Sequence, residues 1–306
     1  MEVFRINTAL FSDHTDMLIK ILDDSGISFQ EKTYRKKELL EIYNNMVKTN
    51  TIDNTYYNIS HEIRSLEFLS KYPNMIIAQD HLSKPGCDFQ IYDNYLVECV
   101  CSSSGDEKKN GLDEFHGSGV FDYGKKERII LTRLTQSLRE KRDFYSNHLS
   151  NGIIKQNDPY IVFLALGNLT YGTFTRRYGF MLNKILFGVG HDVLYIDRKT
   201  NKYLKMDYSH NISISNHNGS EIDCNIFVNQ DYSCISAILF TTANLDEHYT
   251  QGNTFLFINP YAKNKIFANK FSDLIYWKSY REIDGIKYYP RCKGINLNDR
   301  LSKKCF

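Results

Sequence analysis

The run Tyr95-Leu96-Val97-Glu98-Cys99-Val100 places one carboxylate inside an otherwise apolar strand. Removing an ionised carboxylate from water is costly unless it is paired or holds a metal, so Glu98 demands a partner. Upstream, Asp88 opens the run Asp88-Phe89-Gln90-Ile91-Tyr92, and Asp93-Asn94 between the two runs are turn formers. Two short runs joined in this way are expected to pair as a hairpin. Side chains alternate along a strand, so Leu96, Glu98, Val100 and Ser102 are expected on one face and Val97, Cys99 and Cys101 on the other. Before the hairpin lie an extended run, a Pro85-Gly86 turn and a short amphipathic helix that begins near His61. Its core stripe is Ile63, Leu66 and Leu69 or Ser70, with Glu62 near the first turn. The preceding run TNTIDNTYYN is low in apolar residues and reads as a loop. Glu62, Asp88 and Glu98 are thus expected to converge on one place.

Downstream, residues 101–127 are rich in Gly, Ser and charge and read as a long loop opening beside Glu98. An amphipathic helix is expected from Lys126 to His148, with Ile130, Leu131, Leu134, Leu138 and Tyr145 as its apolar stripe. With Arg133 at zero on a helical wheel, Ile130 falls at about 60°, Leu134 at about 100°, Leu138 at about 140° and Lys141 at about 80°. Lys141 therefore lies within the apolar face, and Arg133 and Ser137 lie at its edge. The run PYIVFLALGNL reads as a buried strand, RRYGFMLNKILFG as a helix, and DVLYIDRKT, CISAILFTTA and NTFLFINPYA as further strands. Near the N-terminus, a helix capped by Asp13 or Thr15 and stopped by Gly26 is followed by a helix through KKELLEIYNNMVK. The expected organisation is a helical cap over residues 1–55 and an α/β domain over 56–306. Its mixed central sheet is flanked by helices and extended by the C-terminal strands.

An acidic helix residue, then Asp, then Glu in an apolar strand resembles the core of the PD-(D/E)xK, or restriction-endonuclease-like, nuclease superfamily. The resemblance covers roughly residues 55 to 165 and implies an α-β-β-(β)-α-β core. It also implies a Mg²⁺- or Mn²⁺-dependent phosphodiester hydrolase acting on DNA or RNA. Asp88 and Glu98 would ligate the metal, and Glu62 would complete its shell or orient a water. The position two after the Glu, usually Lys in this superfamily, is Val100 here. The family can supply that Lys from the following helix, which assigns the role to Lys141 first and Arg133 second. The implied partner is nucleic acid, with a homodimer left open. The alternative reading of Val100 is a catalytically inactive binding module, or a bacterial effector with a protein partner.

Composition sets the outer bounds. The chain has 306 residues, 42% of them hydrophobic, enough for one large domain or two small ones. A net charge of +2 offers no global attraction for nucleic acid, so any basic surface must be local. Seven cysteines, two of them in the Glu98 strand, lack paired metal-ligand spacing and suit a reducing compartment. The N-terminal residues carry no signal-peptide pattern and no run is long enough to span a bilayer, so a cytoplasmic protein is expected, or one in a host cytosol if it is an effector. Each candidate also has an ordinary reading. Asp88 suits an Asx-turn, Glu98 a solvent-reaching sheet edge, Glu62 a first-turn acid on the helix dipole, and Lys141 a snorkelling surface lysine. His191, His210 and His217 read as surface histidines. Cys101-Ser102-Ser103 resembles a nucleophile loop only superficially, and the aromatic and basic run from Ile275 to Gly294 reads as surface packed on the sheet.

Overall fold

The computed structural model describes residues 8–77, 86–103, 123–167, 178–210, 213–215, 219–278 and 291–293. Helices α1 (Thr8–Asp24), α2 (Phe29–Thr49) and α3 (Asn54–Leu69) come first. α1 starts well before the expected cap; Thr15 is buried within it, donating its hydroxyl to the Phe11 carbonyl at 2.7 Å. Ser28 caps α2 by accepting from Glu31 N at 3.2 Å.

The expected loop before Glu62 is helix instead. Asp53 caps α3 by accepting from Thr55 N at 2.8 Å, and Tyr56 and Tyr57 bury their rings in its first turns. Counting tyrosine as polar hid these turns, and Glu62 consequently lies in the middle of α3. The expected stripe Ile63, Leu66 and Leu69 is buried.

The central sheet contains β1 (Ile76–Ile77), β2 (Phe89–Ile91), β3 (Tyr95–Cys101), β4 (Tyr160–Ala165), β9 (Ile235–Thr241), β10 (Thr254–Ile258), β11 (Ile275–Lys278) and β12 (Arg291–Lys293), in that spatial order. β1, β2 and β3 form an antiparallel meander, whereas β3–β4 and β4–β9 are parallel. The β2–β3 turn takes positive φ at Tyr92 (52°) and Asp93 (71°). Helix α4 (Tyr123–Ser150) links β3 to β4, the crossover that a parallel pair requires. The expected loop at residues 101–127 lies largely outside the described residues.

Alternation along the parallel strands feeds two cores. On one face, Leu96, Val162, Leu164, Ile238 and Phe240 pack with Ile130, Leu131, Leu134, Leu138 and Tyr145 of α4. On the other, Val97, Cys99, Ile161, Phe163 and Leu239 pack with Leu18, Leu22, Leu39, Ile63 and Leu66. The N-terminal helices therefore share a core with α3 and the sheet. All six residues of β4 are buried, as expected for a strand covered on both faces.

Helix α5 (Tyr178–Phe187) is followed by β5 (Val189–Ile196) and β6 (Tyr203–His210), with β7 (Ser213–Ser215) and β8 (Glu221–Asp223) beyond. The strand read from DVLYIDRKT lies outside the central sheet, pairing with β6 in a two-stranded ribbon. The C-terminal extension of the sheet consists of β9 to β12. Among the described residues, no helix is long and apolar enough to cross a membrane.

Candidate active site

β2 is only three residues long, so its ladder with β3 stops at Phe89–Val97 and leaves the end of β3 beyond it. Asp88 stands just before β2 and fills the gap, its Oδ2 accepting from Cys99 N at 2.6 Å. A backbone N–H that would otherwise lose its partner at the sheet edge is thereby satisfied. Glu98, on the α4 side of β3, is buried, and its Oε1 accepts from Lys141 Nζ at 2.6 Å. The apolar face of α4, on which the helical wheel puts Lys141, turns toward the sheet and brings the ammonium to β3.

Glu62 approaches from α3 on the other side. Its Oε2 lies 3.0 Å from Nη1 of Arg35, whose Nε lies 2.7 Å from Glu31 Oε1. Arg35 is almost wholly buried, and nothing in the sequence pattern points to its role in anchoring Glu62. Glu31 and Arg35 have the spacing of an ordinary surface pair on α2, and no local pattern marks the long-range contact to Glu62.

Glu62, Asp88, Glu98, Lys141 and Arg133 all line one cavity of about 610 Å³ between α3, the end of β3 and α4. Val100 lines it as well, beside Asn58, Gln136 and Glu140. Arg133 donates from Nε to Ser103 O at 2.8 Å, and Ser137 and Ser102 share a hydroxyl contact of 2.6 Å, so α4 is pinned to the end of β3.

The electrostatics are uneven. Burial, then the charges of Glu98 and Glu62, push the Asp88 carboxyl well above the usual range; the Cys99 N–H opposes them. Burial also raises Glu98, against the pull of Lys141. For Lys141, burial opposes the charge, but Glu98 outweighs it and holds the ammonium above its ordinary value. Glu98 Oε2 is buried with no hydrogen-bond partner. An orphaned carboxylate oxygen beside a second buried carboxyl is a hard, anionic oxygen donor set that fits Mg²⁺ or Mn²⁺. Among the described residues, no three His, Cys, Asp or Glu side chains converge in metal-ligating geometry; Mg²⁺ commonly binds through one or two carboxylates and keeps several waters.

His61 also borders the cavity, with both ring nitrogens engaged. Nε2 donates to the Phe163 carbonyl at 2.7 Å, and Nδ1 accepts from Tyr249 OH at 2.8 Å. Burial lowers its pKa to about 3, so it is a neutral tie between α3, β4 and the segment around Tyr249. Burial raises the Cys101 thiol to about 12, which argues against a nucleophile loop at Cys101-Ser102-Ser103. His191 and His210 lie within β5 and β6, and His217 lies outside the described residues. No protein-family model, curated protein or solved structure matches this chain.

Proposed function

We propose that this chain is a metal-dependent phosphodiester hydrolase, a nuclease acting on DNA or RNA, on a restriction-endonuclease-like core. The observation that carries the reading is the 2.6 Å contact between Lys141 Nζ and Glu98 Oε1 beside Asp88. It brings an ammonium from α4 to the place where Val100 leaves the motif without its lysine. The order α3-β1-β2-β3-α4-β4, with β2–β3 antiparallel and β3–β4 parallel, supports the same reading.

Asp88 and the free Oε2 of Glu98 would hold the metal, with Glu62 facing the same space from its anchor on Arg35. When bound, the divalent ion would polarise the phosphate and lower the pKa of an attacking water. Lys141 is held charged by Glu98, so it acts as a fixed positive group for the charge that develops on the phosphate. It is not a base. Metal and proton compete for the same oxygens, and because the Asp88 carboxyl is raised, ligation by it is favoured as pH rises. The water gives up a proton to solvent as its oxygen bonds to phosphorus, the bond to one bridging oxygen breaks, and the leaving oxygen takes a proton from solvent.

The test is hydrolysis of labelled DNA and RNA, single- and double-stranded, with Mg²⁺ or Mn²⁺ against EDTA. Wild type is expected to cleave only with metal. Asp88→Asn and Glu98→Gln are expected to abolish cleavage, and Lys141→Met to lower kcat by about 10²–10³-fold, the scale of one lost transition-state donor. Metal-dependent cleavage that survives Asp88→Asn and Glu98→Gln would sink the assignment. Nucleic-acid binding without any cleavage would favour the inactive binding module that Val100 suggests.

A further inference from the structure

The cavity carries Glu62, Asp88, Glu98 and Glu140 against Lys141 and Arg133, a balance that attracts a metal ion more readily than a polyanion. With a net charge of only +2, the chain offers no global attraction either, so affinity for nucleic acid must come from a separate basic surface.

We propose that the ribbon formed by β5 and β6 is that surface, an arm that enters a groove of duplex nucleic acid with its basic tip on the phosphates. This rests on the nuclease reading for the identity of the ligand. Its tip, residues 197–202, is closed by Asn201 N donating to Asp197 O at 2.8 Å and Asp197 N donating to Lys202 O at 2.9 Å. Asp197 Oδ1 accepts from Lys199 N at 2.7 Å and Thr200 N at 3.2 Å, so the one acid of the tip is spent on the turn. Arg198, Lys199 and Lys202 are left exposed.

Behind these charges the ribbon exposes apolar side chains: Leu194 at 60%, Ile196 at 54%, Tyr203 at 63% and Leu204 at 61%. Neighbouring residues in one strand point to opposite faces, so both faces of the tip are in water. Neither β5 nor β6 pairs with another strand among the described residues. A register shift between Tyr195 and Ile196 marks a bulge near the tip, a feature that strengthens local twist. An isolated two-stranded ribbon is marginal in water without something to pack on. Duplex nucleic acid suits this one: the major groove admits a two-stranded ribbon, and Leu or Ile wedges enter the minor groove of architectural complexes. The ribbon is rooted on the α4 side. α5, which precedes it, buries Leu182, Ile185, Leu186 and Phe187 in the α4-side core, and Lys184 Nζ lies 2.6 Å from Glu127 Oε1.

The test is fluorescence anisotropy with a labelled duplex across a salt series, in EDTA so that hydrolysis is silent. Arg198→Ala/Lys199→Ala/Lys202→Ala is expected to weaken binding about tenfold or more and to flatten the salt slope by about 2–3, the loss of three phosphate contacts. Ile196→Ser/Leu204→Ser is expected to weaken binding with the slope unchanged. Thermal melts of both should match wild type, since the side chains are exposed. The arm is overturned if both variants bind as wild type does. It is equally overturned if wild type binds no duplex but floats with phosphatidylserine vesicles, or if the apolar variant changes only the molar mass by light scattering. Wild-type cleavage with undiminished variant binding would remove the arm and leave the nuclease reading standing. Weakened variant binding in a protein that cleaves nothing would do the reverse.

Discussion

Asp88 supports one hydrogen bond and carries one unfavourable charge. Its Oδ2 satisfies Cys99 N, while burial and the nearby Glu98 and Glu62 push its carboxyl well above the ordinary range. A carboxyl raised in the folded state binds more protons there than in the unfolded chain. Stability therefore falls as pH climbs above the unfolded value, about 3.9 for Asp, until the folded group has ionised. Asp88→Asn keeps an acceptor for Cys99 N and removes the charge. In EDTA near neutral pH the variant is expected to melt higher than wild type, by about 2 °C for each kcal/mol recovered. Mg²⁺ is expected to raise the melting temperature of wild type and not of the variant. A variant that melts lower in EDTA would show that the charge at Asp88 stabilises the empty site. The positions of Asp88, Glu98 and Lys141 were legible in the sequence because each follows from a local period: a strand alternation, a turn and a helical wheel. Arg35 was not, because its contact to Glu62 spans two helices and depends on how they pack.

The same contrast governs the elements. Strong periodicity gave α4 and β4 nearly whole, whereas α3 was shortened because its first turns are rich in tyrosine. The strand in DVLYIDRKT is legible as a strand, but alternation does not name its partner, and its pairing with β6 in a separate ribbon follows only from the fold. Where β3 and β4 end side by side, Gly167 has φ of +44°, and a Cβ there would lie 2.9 Å from Ser102 O and 3.0 Å from Cys101 Sγ. The first contact is with backbone, so the end of β3 must move to admit it. Gly167→Ala is expected to cost about 1–3 kcal/mol, the range for overpacking, on top of the strain at positive φ. Because Ser103 O anchors Arg133 and Ser102 meets Ser137, the shift is expected to reach the cavity wall. Urea denaturation should show the loss of stability, and kcat should fall with it. A Gly167→Ala protein of wild-type stability would mean that the close approach of β3 to this turn is easily relieved.

At the scale of the whole molecule, two buried histidines tie layers together, and both must stay neutral. His14 links α1 to α3 through Tyr56 OH at 3.0 Å and Ser60 Oγ at 3.1 Å, and His61 links α3 to the Phe163 carbonyl and Tyr249. Burial, followed by Arg64, lowers His14 to about 3; burial also dominates at His61, lowered to about 3 against the Phe163 hydrogen bond. Between about 6.5 and 3 the unfolded chain binds protons that the folded chain refuses, so stability is full above the unfolded value and drains away as pH falls. By pH 5 the loss is on the order of 2 kcal/mol for each histidine. Asp88 and Glu98 act in the opposite sense, since acid relieves their buried charge, so the wild-type curve alone mixes the two effects. The separating measurement is the difference between wild type and His14→Gln or His61→Gln in urea denaturation from pH 8 to 5. Each glutamine is expected to lower stability at pH 8, where the native hydrogen bonds are intact, and to narrow the gap to wild type as pH falls. A constant gap across the range would mean that the histidine is as readily protonated in the fold as in water, and that the layers it joins open enough to admit a charge.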